Sequence, residues 1–480
     1  MSLKRIAVLG ARWTTISTGI VTAVQFLQTL ILARLLAPED FGLMAIVMMV
    51  LGFVQTYADM GISSAIIHRQ DTTVEQLSSL FWLNILAGFA VFVVTLASSS
   101  IVVAAYNEPQ LGRLILYAAL IFLISPLGGQ FGLLLQKELE FGTLAVCEII
   151  SAMFAASVTV IAAIDGLGVF SLVLGRLGGA CLTAGLFGVI GWRRWRPRLH
   201  FCRADLRGYL SFGLYQMGQS TIVFLTGHID QLYIGIVLGP QFLGYYVFAW
   251  NIVLQPMMKF NYILTRVAFP LFARVQLETE RLQRGYLTLL WLLVTINAPV
   301  MIGCAATAPL FVPFFFGAKW LPAVIIIQIL AFFSLIVSIM NPIDSVILAK
   351  GRTDLALIWR ICILFPEVVG IYVGGRIGGL QGVALAELCL HVFFWVAQYY
   401  FVVRVLIGPC SKQYMQSVLP SLGIAGIMGM IVWLWPNMPT ESLAIMLASK
   451  VAIGAVLYVV LNILLQRARI YEIKDLLLAR

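Results

Sequence analysis

The stretch Trp192-Arg193-Arg194-Trp195-Arg196-Pro197-Arg198-Leu199-His200-Phe201-Cys202-Arg203-Ala204-Asp205-Leu206-Arg207 holds six arginines between two long apolar segments. Around it the chain is 61% hydrophobic and only 11% charged, with a mean hydropathy of +0.98. No water-soluble fold of 480 residues has an interior large enough for that much apolar surface. The surplus must face lipid, so this is an all-α polytopic membrane protein. Short loops dense in Lys and Arg stay in the cytoplasm, which gives the chain its orientation. Falling near the middle of the chain, the tract reads as a hinge between two halves.

The net charge of +10 is spread over short loops. It forms no continuous basic face that a polyphosphate backbone could follow, so no nucleic-acid partner is expected. The start, MSLKRIAVLGARW, lacks the compact apolar core and small-residue cleavage site of a signal peptide, and the first segment reads as a retained membrane helix. Seven cysteines show no metal-ligand spacing and are expected to be reduced, without disulfides.

Apolar runs long enough to cross about 30 Å of hydrocarbon fall at roughly 13–33, 42–64, 80–104, 113–134, 143–164, 168–191, 208–235 and 243–268. Six more fall near 287–308, 321–346, 355–373, 381–403, 418–435 and 443–465, about fourteen in all. An even count puts both termini on one side. With both in the cytoplasm, about 22 of the 31 Lys and Arg lie in cytoplasmic segments and about four outside, at Arg34, Arg113, Lys319 and Arg376. Arg176, Lys259, Arg266, Arg360 and Lys450 lie within spans.

A repeat runs through the chain. Leu36-Ala37-Pro38-Glu39-Asp40-Phe41-Gly42 returns as Leu238-Gly239-Pro240-Gln241-Phe242-Leu243-Gly244. Gly166-Leu167-Gly168-Val169 is echoed by Gly379-Leu380-Gln381-Gly382-Val383, and Pro109 by Pro322. The unit is about six spans, so both copies enter from the cytoplasm and form parallel lobes around a central cavity, a transporter architecture. The expected division is an N-terminal lobe at 1–192, a basic linker at 193–207, a C-terminal lobe at 208–405, and two further spans with a cytoplasmic tail at 406–480.

Ionisable groups inside a membrane are costly and face a cavity or a partner. The eighth span carries Asn251, Gln255, Lys259, Tyr262 and Arg266 on one face. The seventh carries Gln216, Gln219, Thr226 and Asp230, and the second Gln55, Asp59 and Ser63. The uncharged groups serve either as interhelical glue or as cavity lining. Two cations on one face repel unless an anion or acid lies between them. With Arg176 and Arg360 they form a candidate phosphate-binding set, Arg supplying forked bonds and Lys a point charge. Asp59, Asp230, Asp344, Glu367 and Glu387 either neutralise those cations or bind a coupling proton or sodium ion. His228 and His391 lack metal spacing and read as packing residues. Pro256 and Pro366 interrupt spans where carriers bend. No Walker, HExxH or GxSxG motif is present.

Three stretches carry a resemblance: Gly10-Ala11-Arg12-Trp13 with Ile31 to Gly42 and Asp59-Met60-Gly61; Asp230 to Gly235; and Phe316-Gly317-Ala318-Lys319-Trp320-Leu321-Pro322. The chain resembles the polysaccharide transporter branch of the MOP exporter superfamily, which contains Wzx-type flippases. The resemblance implies two six-helix lobes around a central cavity. It also implies a polyprenyl-pyrophosphate-linked oligosaccharide as substrate, for exopolysaccharide, capsule or O-antigen synthesis, moved by ion-coupled alternating access across a bacterial inner membrane. It leaves a polysaccharide polymerase or export machinery as partner, and no cofactor beyond the coupling ion. A peptidoglycan-precursor flippase or a multidrug exporter of the same superfamily is the alternative. A membrane glycosyltransferase or polymerase fits less well, because no large loop is present to carry catalytic groups.

Overall fold

The computed structural model describes residues 3–58, 73–202, 221, 223–436 and 442–467. Among these it is helical throughout, with no strand. The chain forms two compact units, Met1–Gly244 and Tyr245–Arg480.

In the first unit α1 (Leu3–Leu35) leads through a tight turn into α2 (Pro38–Ala58). The turn is built from its own sequence. Pro38 opens the helix where its missing N–H costs nothing, and the Asp40 carboxylate accepts the Ala37 backbone N–H at 2.8 Å. Next comes α3 (Val74–Tyr106), started by Thr73 and Gln76, whose side chains and backbone N–H groups bond reciprocally. Helices α4 (Gln110–Ala119) and α5 (Ile121–Lys137) together make one span, broken at Leu120. The unit continues with α6 (Phe141–Ile164) and α7 (Val169–Trp192).

Helix α8 (Pro240–Arg274) leads into the second unit, which continues with α9 (Thr279–Phe316) and α10 (Ala323–Met340). A short helix, Ile343–Ala349, precedes α11 (Thr353–Gln398), α12 (Ser411–Leu434) and α13 (Leu443–Leu465). The core gathers Tyr286, Leu290, Val294, Ile339, Val402 and Tyr414. Buried polar groups are matched across helices, as lipid-embedded bundles require. Asn297 Nδ2 donates to Asn261 Oδ1 at 2.8 Å and to Ser338 Oγ at 2.7 Å, joining α8, α9 and α10. A second network fastens the last helix. Tyr458 Oη donates to the Thr295 carbonyl at 2.7 Å, Gln466 Nε2 donates to Ser421 Oγ at 3.1 Å, and Trp291 Nε1 donates to Gln466 Oε1. The two helices beyond the repeat are therefore built into the second unit's core.

Eleven described helical segments are long and apolar enough to cross a membrane. One of them, Thr353–Ile407, covers two expected spans, because α11 folds back at Gly378 and Gly379. Helix α8 covers the expected eighth span, and half of the seventh lies outside the described residues. The polytopic architecture is as expected, with the count of fourteen approximate. The helices run on through Pro256 and Pro366, and the break comes at the glycines instead.

The repeat is visible in backbone angles. Pro109 and Pro322 precede α4 and α10 with φ/ψ of −61°/−26° and −62°/−23°. Gly168 and Gly379 share 54°/−133° and 55°/−135°, a region open only to glycine. That match pairs Gly379 with Gly168, two residues later than the sequence pairing with Gly166.

The described part of the arginine tract is no loose hinge. Arg194 bridges Glu138 and Glu140 in the turn between α5 and α6, the latter at 2.7 Å. Trp195 sits 6.0 Å from the Phe81 ring and 5.7 Å from that of Phe131. The backbone N–H groups of Arg198 and Cys202 donate to Ser78 and Ser79, both at 3.1 Å. Residues 193–202 are strapped to the first unit. All seven cysteines are free.

Candidate functional site

On α8 the expected polar stripe is real and faces away from the packed side. Asn251, Gln255, Tyr262 and Arg266 are exposed and Lys259 is half-buried, while Val253, Leu254, Met257 and Asn261 are buried on the other side. The segregation follows from helical spacing, since the two sets occupy different arcs of one helix. The Arg266 guanidinium stands 6.0 Å over the Tyr262 ring, which orients a cation without neutralising it. Such a face can attract an anion and leave room for sugars against aromatic rings.

Arg360 on α11 is exposed, and its charge acts on Asp344 of the short helix. Asp344 is itself exposed. One candidate cation and one candidate acid thus lie near each other without forming an ion pair. Arg176 lies on α7 of the first unit and is exposed. Asp230 is buried, 3% exposed, in a short helix that widens into a π-helical turn at Ile234–Leu238. Asp59, Gln216 and Gln219 lie outside the described residues.

The fold-back of α11 builds the second part of the site. Its two arms cross at Gly374 and Gly382, where a side chain on either would collide with the other's backbone. That approach brings Glu367 on the first arm to Glu387 and His391 on the second. A carboxylate oxygen from each glutamate and an imidazole nitrogen all lie within 4.8 Å of one another. Glu367 and Glu387 are 7% and 4% exposed. His391 Nδ1 is 3.0 Å from the Glu387 carbonyl and 3.4 Å from its carboxylate, and the Phe333 ring meets the imidazole edge-to-face at 4.6 Å. Two carboxylates and an imidazole at this spacing can share a proton or hold a cation.

The sequence reading named both glutamates but treated His391 as packing. The signal was present, because residues four apart share a helix face and Glu387 and His391 are so spaced. What hid the cluster was the hairpin that brings Glu367 to them. His228 does pack, stacked on Phe224 at 4.2 Å.

Described residues that are helical throughout, with eleven membrane-length apolar segments and buried or accessible charges within them, have the architecture of a polytopic membrane transporter. The family profile described as "Polysaccharide biosynthesis protein" matches residues 31–325. The chain is 32% identical to lipopolysaccharide biosynthesis protein WzxC of Escherichia coli K12, over 90% of this chain and 89% of that one. It is 33% identical to teichuronic acid biosynthesis protein TuaB of Bacillus subtilis 168, over 96% of both. In fold it is similar to the lipid II flippase MurJ in an inward closed conformation, with a TM-score of 0.76 at 14% identity, covering 96% of this chain and all of that one. The chain belongs to the polysaccharide biosynthesis protein family of membrane transporters, and its work is transport rather than catalysis.

Proposed function

We propose that this protein flips polyprenyl-pyrophosphate-linked oligosaccharide across the bacterial cytoplasmic membrane, for exopolysaccharide, capsule or O-antigen synthesis. The observation that carries the reading is the polar face of α8, where exposed Arg266 and half-buried Lys259 lie opposite the packed side in a chain of this family. A pyrophosphate is the part of such a substrate that two cations would hold, and Arg360 and Arg176 extend the set. Asn251 and Gln255 supply hydrogen bonds to sugar hydroxyls. Glu367, Glu387 and His391 form the coupling site, exchanging a proton or sodium ion as the protein alternates access. Both termini lie in the cytoplasm, and a polysaccharide polymerase takes the product on the far side.

The direct test is reconstitution in liposomes with a fluorescent lipid-linked oligosaccharide. Headgroup translocation driven by an imposed proton or sodium gradient is expected. A folded protein that moves no headgroup under either gradient would overturn the reading.

A further inference from the structure

The strap at residues 192–202 has an outward side that nothing in the transport mechanism uses. It contains four arginines and no acidic residue. Two of the four are occupied: Arg194 by Glu138 and Glu140, and Arg198 by Glu75 at 3.2 Å. Arg193 and Arg196 are exposed and form no ion pair among the described residues. Interleaved with them, Leu199 is 93% exposed, Phe201 54% and Trp192 50%.

Covalent geometry fixes where this surface lies. Trp192 is the last residue of the membrane helix α7, and the strap runs over the ends of α3, α5 and α6. It therefore lies at a membrane–water boundary. The Arg198 and Cys202 backbone bonds, with Trp195 half-buried against Phe81 and Phe131, hold the strap down, so its outward groups are presented rather than tethered loosely. Apolar side chains alternating with guanidinium groups at that depth complement a phosphodiester headgroup and the first carbons of its acyl chains.

We propose that Trp192, Arg193, Arg196, Leu199 and Phe201 form a docking surface for anionic phospholipid of the cytoplasmic leaflet. Lipid is favoured over a protein partner because the charge is of one sign and the helix ends place it against the bilayer. The inference rests on the strap facing the cytoplasm. Labelling of a cysteine at Arg198 from one side of the membrane tests that point separately.

Detergent-purified full-length protein is titrated with phosphatidylglycerol or phosphatidylcholine, and the first bound lipid is followed by native mass spectrometry. The native chain should prefer phosphatidylglycerol. Arg193→Gln/Arg196→Gln should weaken that lipid by roughly fivefold for each arginine and leave phosphatidylcholine unchanged. Leu199→Ser/Phe201→Ser should weaken both lipids, and Arg281→Gln, an exposed arginine elsewhere, should change neither. Thermal melting checks that each variant is folded, and the two double variants alter different side chains. Equal affinity of the native chain for both lipids, or an unchanged preference in both double variants, would overturn the proposal. So would complete displacement of phosphatidylglycerol by free pyrophosphate, which would mark a soluble-anion site.

Discussion

Gly42 and Gly244 each abut the other repeat's turn, reciprocally. A Cβ built on Gly42 falls 1.8 Å from the Pro240 carbonyl oxygen, and one built on Gly244 falls 1.8 Å from that of Pro38. Exchanging residues 38–42 with 240–244 leaves the contact unchanged, so the two copies of the turn meet about a local twofold. The sequence match between these turns thus has a physical cause: each must end in a residue without a side chain for the other backbone to approach.

Gly42→Ala and Gly244→Ala should each destabilise the protein, because the obstacle is backbone and cannot swing aside. Overpacking of this kind costs about 1–3 kcal/mol. Gly19→Ala, where a Cβ meets nothing within 4 Å, is the control. Thermal melting in detergent checks this, and equal melting of all three variants would refute the contact.

Lys259→Gln and Arg266→Gln should each retain expression and reduce transport of the native substrate. Loss of one charged contact costs on the order of 1–3 kcal/mol, roughly ten- to hundredfold in affinity. Arg467→Gln, at the end of the last described helix, should transport normally. Unchanged transport in both stripe variants would make the stripe structural.

Glu387→Gln should abolish gradient-driven transport while leaving exchange of substrate at equilibrium measurable, and His391→Asn should alter the dependence on the driving ion. The readout is the initial rate under separate proton and sodium gradients. If both variants respond to each gradient as the native protein does, the cluster takes no part in coupling.

The strap should loosen in acid. The Arg194 hydrogen bond, and secondarily that of Thr143, holds the Glu140 carboxyl below the usual carboxylate range. A depressed folded value means that the contribution is present above the ordinary carboxylate pKa and lost as pH falls through the lowered one. A spin label at a cysteine replacing Leu199 should become more mobile across that window, and less pH-sensitive in Glu140→Gln. Constant mobility throughout would argue that the ion pairs do not hold the strap.

Cysteines at Arg198 and Gln241 should show opposite access to an impermeant thiol reagent in intact cells, with native cysteines removed. Equal labelling would sink the assigned topology.

Most of the fold was legible because lipid imposes long apolar runs and leaves charges only where they face something else. The α8 stripe was readable for the same reason, since Asn251 through Arg266 lie on a single helix and helical spacing alone sorts them. The glutamate–histidine cluster was not, because Glu367 joins it from the other arm of a hairpin and no periodicity links residues across a turn. The nearness of Arg360 to Asp344 likewise needed the third dimension. The hold on residues 193–202, the described part of the tract read as a hinge, was not legible, because Trp195 and two backbone amides add to its ion pairs and composition does not distinguish those groups.

The bonds that Tyr458 and Gln466 make to Thr295, Ser421 and Trp291 also set an order of events during synthesis. Until the ribosome has delivered residues 458 and 466, α9 lies in the bilayer without the bonds that the Thr295 carbonyl and the Trp291 indole make to them. The second unit completes these bonds only with its last described helix, so a nascent chain stalled before it would display those groups to chaperones and membrane proteases. Quality control of this transporter can thus act on a single late docking step.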